Sequence, residues 1–199
     1  LLPVLAPLQG KMPTVERVIV MTGAATMPPA VAGKLPDYET FIAPHSEEFD
    51  WPVLDERSAS SLCYTSGTTG SPKGVLYSHR SNVLHAYAGC MADSMGLRGS
   101  DCVLAVVPMF HANSWGLAYN APMTGAKLVF PGPKMGDPAA LTQLMNEERV
   151  TLAAGVPTIW TLLLSYLRQS GTKLETLTRT IVGGSAVPRA MAEAFKKKY

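Results

Sequence analysis

The chain has 199 residues, of which 47% are hydrophobic and 16% charged, enough apolar material for a packed core and too little polarity for a disordered segment. Lys and Arg number 17 against 15 Asp and Glu, a net charge of +2, which argues against a dedicated nucleic-acid binder, whose surface carries a basic surplus. The length suits one domain or a large piece of one.

No stretch is apolar for long enough to span a bilayer. The apolar opening from Leu1 to Leu8 lacks the basic leader and cleavage site of a signal peptide, and both ends read as cut from something larger. The 3 cysteines, Cys63, Cys90 and Cys102, form no CxxC pair and sit among apolar neighbours. Free, reduced thiols are therefore expected, with no zinc or iron–sulfur site, and a reducing, cytoplasmic location.

In chain order, the run Val18-Ile19-Val20-Met21, between Pro13 and Gly23, predicts a buried strand within 15–21. Residues 22–58 carry scattered prolines and little periodicity, which predicts a mostly irregular excursion with one short helix near 38–42. A short strand follows at 61–64, a Gly/Ser/Thr loop at 66–74 and a second strand at 75–77. Ser81 or Asn82 can cap a helix to about residue 95, with Val83, Leu84, Tyr87 and Met91 on one side.

The run from Val103 to Val107 has the unbroken apolarity of a strand buried on both faces. A helix over 114–123 and a strand over 127–130 come next. Pro138 suits the first turn of a helix over 138–148, where its missing N–H costs nothing. A strand at 151–155 leads to a helix from Pro157 to about residue 168, with Ile159, Leu162, Leu163 and Tyr166 facing in. A strand at 179–182 and a helix over 188–198 end the chain. The run Lys196-Lys197-Lys198 reads as an exposed helix end, with a lipid or nucleic-acid patch as the alternative. Strands alternating with helices from residue 61 onward predict an α/β fold, a mostly parallel sheet flanked by helices.

The segment Tyr64-Thr65-Ser66-Gly67-Thr68-Thr69-Gly70-Ser71-Pro72-Lys73-Gly74 is the richest in chemistry. Its glycines allow tight turns that point successive N–H groups at one centre. Its hydroxyls can donate to oxyanions, and Lys73 adds a mobile positive charge, a combination suited to a phosphate chain. A plain hydroxyl-rich hairpin loop has the same composition. The order Pro72-Lys73-Gly74, followed by a strand, departs from the P-loop, where Gly-Lys-Ser/Thr opens a helix. The loop is expected to join two strands, without help from a helix dipole.

This string resembles the phosphate-binding signature of the adenylate-forming superfamily, which includes acyl-CoA synthetases, peptide-synthetase adenylation domains and firefly luciferase. The resemblance implies that Thr65, Ser66, Gly67, Thr68, Thr69, Gly70, Ser71, Lys73 and Gly74 hold the β- and γ-phosphates of ATP, with Thr65 also near the Mg2+ that bridges them. Thr65 and Lys73 would thereby take part in catalysis.

A second segment, Val107-Pro108-Met109-Phe110-His111-Ala112-Asn113-Ser114-Trp115, follows the buried strand, where ligands of open parallel sheets bind. By spacing alone His111 is as compatible with a structural as with a functional role, and Trp115 with core packing. If a helix has begun by His111, the two share one face. The segment is similar to a signature of the fatty acyl-CoA synthetases. That implies a catalytic and substrate-binding His111 beside the acyl carboxylate, and Trp115 as a gate to the acyl tunnel.

The third segment, Ile181-Val182-Gly183-Gly184-Ser185-Ala186-Val187-Pro188, is either a plain turn or a surface against which a flat ligand lies. The resemblance places Gly183, Gly184 and Ser185 near the acyl carboxylate and adenine.

The resemblance covers essentially the whole chain and well under half of a typical family member. It implies a partial N-terminal (adenylation) domain over 1–199, with the C-terminal domain absent. The implied function is ATP-dependent activation of a fatty acid to acyl-adenylate and then acyl-CoA, with ATP, Mg2+ and coenzyme A, in a full-length parent. The chain alone is expected not to complete the reaction. Alternatives are an aryl- or short-chain acyl-CoA ligase of the same superfamily, or a non-catalytic nucleotide-binding or structural domain. No nucleic-acid partner is implied, while a homodimer and peripheral membrane contact of the parent stay open.

Overall fold

The computed structural model describes residues 2–8, 10–65 and 70–198, in two units, Leu1–Val53 and Leu54–Tyr199. The first unit is poor in regular structure. Its short helices are α1 (Leu2–Leu5) and α2 (Tyr38–Ile42), the latter capped by Asp37, whose carboxylate accepts the Thr40 N–H at 3.0 Å. Helix α2 forms where the local pattern places one. The strand expected over 15–21 does not form. Only Val20 bridges, to Asp37, its N–H donating to the Pro36 carbonyl at 3.0 Å. A run of β-formers becomes a strand only where a neighbouring strand offers a ladder, and none lies beside it among the described residues of this unit.

The second unit opens with an antiparallel hairpin of β1 (Ala59–Thr65) and β2 (Lys73–Ser78). Helix α3 (His79–Cys90) follows directly, and the Ser78 hydroxyl accepts the Ser81 N–H at 3.1 Å as its cap. The helix thus begins and ends earlier than its sequence pattern indicates. The side chains expected on one side, Val83, Leu84, Tyr87 and Met91, are all exposed, and the buried residues are Ala86 and Gly89. The cause is close packing. A Cβ on Gly89 would stand 2.4 Å from the Asn120 amide nitrogen, so α3 lays its smallest side chains on its neighbour and turns its bulky ones outward.

The remaining strands are β3 (Cys102–Val106), β4 (Lys127–Val129), β5 (Leu152–Gly155) and β6 (Arg179–Val182). They form one sheet in the order β4-β3-β5-β6, and every neighbouring pair is parallel. All residues of β3 are buried. Cys102, Leu104 and Val106 pack with Leu141 of α6 (Pro138–Glu147), Trp160 of α7 (Pro157–Ser170) and Phe195 of α8 (Arg189–Lys198). Val103 and Ala105 pack on the opposite face with Leu117 and Ala121 of α5 (Leu117–Thr124). Side chains alternate across a strand, so a strand covered on both faces must be apolar throughout. In α7 the buried residues include Trp160, Leu163, Leu164 and Leu167, while Leu162, expected to face in, is exposed. The inward stripe runs one position later than the pattern indicates.

At the start of the strands a polar cluster ties the sheet together. The Arg179 guanidinium, on β6, pairs with the Asp101 carboxylate and donates to the Met95 and Gly96 carbonyls at 3.1 and 2.8 Å. Asp101 is 7% exposed and also accepts the Thr151 hydroxyl at 2.9 Å and the Arg98 N–H at 2.8 Å. Burial alone would raise its pKa, but these donors together hold the carboxyl below its ordinary value.

Between β3 and α5 lies α4 (Ala112–Trp115), a helical turn of the wrong hand. Ala112, Asn113, Ser114 and Trp115 have φ of 47°, 50°, 54° and 55°, and the Gly116 N–H closes the turn on the Ala112 carbonyl at 3.2 Å. Left-handed backbone costs an L-residue roughly 1–2 kcal/mol, so four in succession stand only because tertiary contacts hold them. The helix expected over 114–123 is therefore two pieces. His111, extended at φ −102°, lies before the turn, and His111 and Trp115 do not share a helix face.

Candidate functional site

The glycine-rich loop joins two strands, in agreement with its sequence. Thr65 and Lys73 are register partners at its mouth, which places both side chains on one face of the hairpin. Both are exposed, as are Gly70, Ser71 and Gly74. Gly70 has φ +84°, a conformation that L side chains rarely adopt. Ser66, Gly67, Thr68 and Thr69 lie outside the described residues.

The second and third segments meet at the C-terminal edge of the parallel sheet. Val106, Gly155 and Val182 are register partners across β3, β5 and β6, so the segments after them leave the sheet from one line. The chain passes from β3 to β4 on one side and then to β5 on the other. That reversal opens a crevice between the β3 and β5 connections, the usual ligand position in such sheets.

Trp115 packs beside that line, against Gly183. A Cβ on Gly183 would stand 3.1 Å from the indole Cη2 and 3.4 Å from Cζ2. Gly184 has φ +84°, and its Cβ position lies 3.2 Å from Val156. Ser185 and His111 are exposed. The His111 backbone is anchored at both ends, its N–H donating to the Pro108 carbonyl and its carbonyl accepting the Ser114 N–H, each at 3.0 Å.

The left-handed turn is fastened at two further points. The buried Ser114 hydroxyl donates to the Val107 carbonyl at 2.7 Å. The Asn113 amide nitrogen donates to the Ser61 hydroxyl on β1 at 3.0 Å, and its oxygen accepts the Cys63 thiol at 3.5 Å. The strand that leads into the glycine loop is thus joined to the turn that carries Trp115. Sequence reasoning missed Asn113, Ser61 and Cys63. A faint signal exists in Asn113, since Asn tolerates left-handed backbone better than most residues, but its partners are 50 and 52 positions away.

Among the described residues no group of three His, Cys, Asp or Glu side chains gathers to hold a metal ion. No helix among them is long and apolar enough to cross a membrane. The 3 cysteines are free, with Cys63 and Cys102 buried.

Residues 4–199 match the protein family described as AMP-binding enzyme. The chain is 48% identical to 3-methylmercaptopropionyl-CoA ligase of Ruegeria pomeroyi over 198 residues, covering 100% of this chain and 36% of that protein. It is 47% identical to medium-chain-fatty-acid–CoA ligase of Ectopseudomonas oleovorans, again over 100% of this chain and 36% of the relative. The chain therefore spans about a third of the length of these curated relatives. Among solved structures, an anthranilate CoA ligase in complex with anthranoyl-AMP superposes with a TM-score of 0.79 at 24% identity, over 99% of this chain and 37% of that one. At that identity the likeness speaks to the fold alone.

Proposed function

Because this chain belongs to the AMP-binding enzyme family, we propose that it supplies the nucleotide-phosphate loop and part of the acyl-side wall of an acid–CoA ligase. The observation that carries the reading is the register pair of Thr65 and Lys73, which closes a glycine- and hydroxyl-rich loop with an exposed cation at its mouth. A positive side chain beside backbone that can turn its N–H groups to one centre fits a polyphosphate.

In this reading the loop residues and Lys73 hold the β- and γ-phosphates of ATP. Mg2+, when bound, screens the phosphate charge. On this chain's side the Thr65 hydroxyl would help to hold it, beside the phosphates. The substrate carboxylate lies near His111, Gly183, Gly184 and Ser185, where a bare glycine backbone admits a flat group. A carboxylate oxygen attacks the α-phosphorus and pyrophosphate leaves, its charge steadied by Lys73. The coenzyme A thiol sulfur then bonds to the acyl carbon and AMP leaves, in a protein of the relatives' full length. His111 positions the carboxylate, and Trp115 bounds the acyl group.

For the acid we propose a short- or medium-chain aliphatic carboxylate. Supporting this are relatives above 45% identity, two named for a thioether-substituted propionyl group and one for medium-chain fatty acids. A cytoplasmic location belongs to the same proposal, on the strength of the free cysteines.

Two measurements test the reading. Titration of ATP–Mg2+ should show Lys73→Ala weakening binding about tenfold, the scale of one lost charge-assisted contact; undiminished affinity would remove the loop as the nucleotide site. Pyrophosphate release by a protein of the relatives' length carrying these residues should peak within acids of about three to eight carbons. A maximum for benzoate or for hexadecanoate would replace the acid class.

A further inference from the structure

We propose that Asn113 is a positioning residue whose side-chain amide locks the Trp115 turn to β1 and so sets the space between Trp115 and Gly183 that selects the acyl group. The inference rests on the reading above, in which Trp115 and Gly183 bound the acyl moiety.

The geometry assigns Asn113 the task of tying the turn to β1. It occupies the second of five consecutive left-handed residues, the last of them Gly116, a conformation that glycine would adopt more readily. What Asn adds is reach. Its amide nitrogen meets the Ser61 hydroxyl at 3.0 Å and its oxygen takes the Cys63 thiol at 3.5 Å. Ser61 is also approached by the Asn82 amide of α3 at 3.1 Å, so three elements converge on one hydroxyl. Two N–H donors use the acceptor capacity of that oxygen, which fixes where the Asn113 amide can sit.

The turn has a second fastening at Ser114, on the β3 side. With both in place, two adjacent residues of the turn are tied down, one to β1 and one to Val107, and Trp115 stands at one depth beside Gly183, 3.1 Å from where a Cβ there would sit. With the Asn113 fastening gone, a strained backbone has somewhere to relax. Trp115, two residues on, loses its fixed depth. The consequence falls on the fit of the acid more than on the nucleotide, because the hairpin keeps its own ladder of backbone bonds.

The test compares Asn113→Gly, Ser61→Ala and the double variant in a protein of the relatives' length carrying this chain, with 5-fluorotryptophan incorporated and the Trp115 resonance assigned through Trp115→Phe. Asn113→Gly keeps the left-handed backbone and removes only the tether. It should raise the KM for the preferred acid about tenfold, flatten the preference among acids, shift or broaden the Trp115 fluorine line, and change the KM for ATP less than threefold. Ser61→Ala breaks the bond from its other partner without changing the turn's own residues; Asn82 loses its bond to the same hydroxyl but keeps the one to Ser60. It should act in the same direction, and the double variant should be no worse than Asn113→Gly. Unaltered acid preference and an unaltered fluorine line in both single variants overturn the proposal, as does a uniform loss of turnover for every acid accompanied only by a lower Tm. Lys73→Ala and Trp115→Phe serve as controls. If they alter nucleotide binding and acid preference while Asn113→Gly does not, the Asn113 proposal alone falls. If neither has any effect, the ligase reading falls and takes this one with it.

Discussion

The Trp115 indole stands so close to Gly183 that a methyl group there would come within 3.1 Å of the ring. Residues 68 positions apart thus form one wall, and glycine is the residue that lets them meet. Gly183→Ala should push the indole toward the crevice, since at that distance the neighbour must give by a few tenths of an ångström. The expected outcome is an acid preference shifted to smaller substrates and a KM for the original acid raised about fivefold. Trp115→Ala in the same background should restore the room. Steady-state kinetics on the two single variants and the double checks this, and additive losses would count against a shared wall.

Gly116 closes the left-handed turn under two constraints that can be separated. It has φ +80°, and a Cβ there would stand 2.4 Å from the His85 Nδ1. Gly125 has a similar φ of +76° with nothing within 4 Å of its Cβ position. Gly125→Ala should therefore cost only the backbone penalty, roughly 1–2 kcal/mol. Gly116→Ala should cost that plus about 1–3 kcal/mol for the overlap. Urea unfolding of both variants measures the difference, and equal costs would show that His85 swings aside freely.

The Asp101 carboxyl is held below its ordinary value of 3.8 by Arg179, the Arg98 N–H and Thr151, against the opposing effect of burial. As pH falls, the unfolded chain takes up a proton at this position before the folded one does. The stability contributed by this group is therefore full above about pH 4 and is lost as pH drops through the lower folded value. Asp101→Asn should be less stable than the parent at pH 7 by about 2–3 kcal/mol. The gap should narrow below pH 4. Urea midpoints at pH 7 and pH 3 check the trend, and a constant gap would refute it.

Burial, chiefly, pushes the Cys102 thiol above its ordinary range, with Glu148 adding and Lys127 opposing. Its sulfur also donates to the Glu148 carbonyl at 3.2 Å. Native protein treated with iodoacetamide at pH 8 should be alkylated at the partly exposed Cys90 well before Cys102, because the thiolate is the nucleophile. Peptide mass spectrometry reads the order. Rapid labelling of Cys102 in folded protein would contradict the buried setting.

Much of the second unit was legible in the amino acids because its signals are local. Unbroken apolarity in Cys102–Val106 demands cover on both faces, Pro138 and Pro157 mark helix starts, and Pro72-Lys73-Gly74 before a strand marks a hairpin loop. Where the pattern misled, the missing information was a neighbour. The apolar run around Val20 lacks a ladder partner, and α3 faces inward with Ala86 and Gly89 because of what Asn120 leaves room for.

By itself the sequence determined the order of strands and helices, the loop with Lys73 at its mouth and the pairing of glycines after β6, since each follows from short-range preferences of side chain and backbone. Tertiary structure alone decided the hand of the turn at Ala112–Trp115 and, through it, the meeting of Trp115 with Gly183. The physical reason is that left-handed backbone is locally unfavourable for L-residues, so it exists only where partners outside the turn hold it, Val107 seven positions back and Ser61 far along the chain.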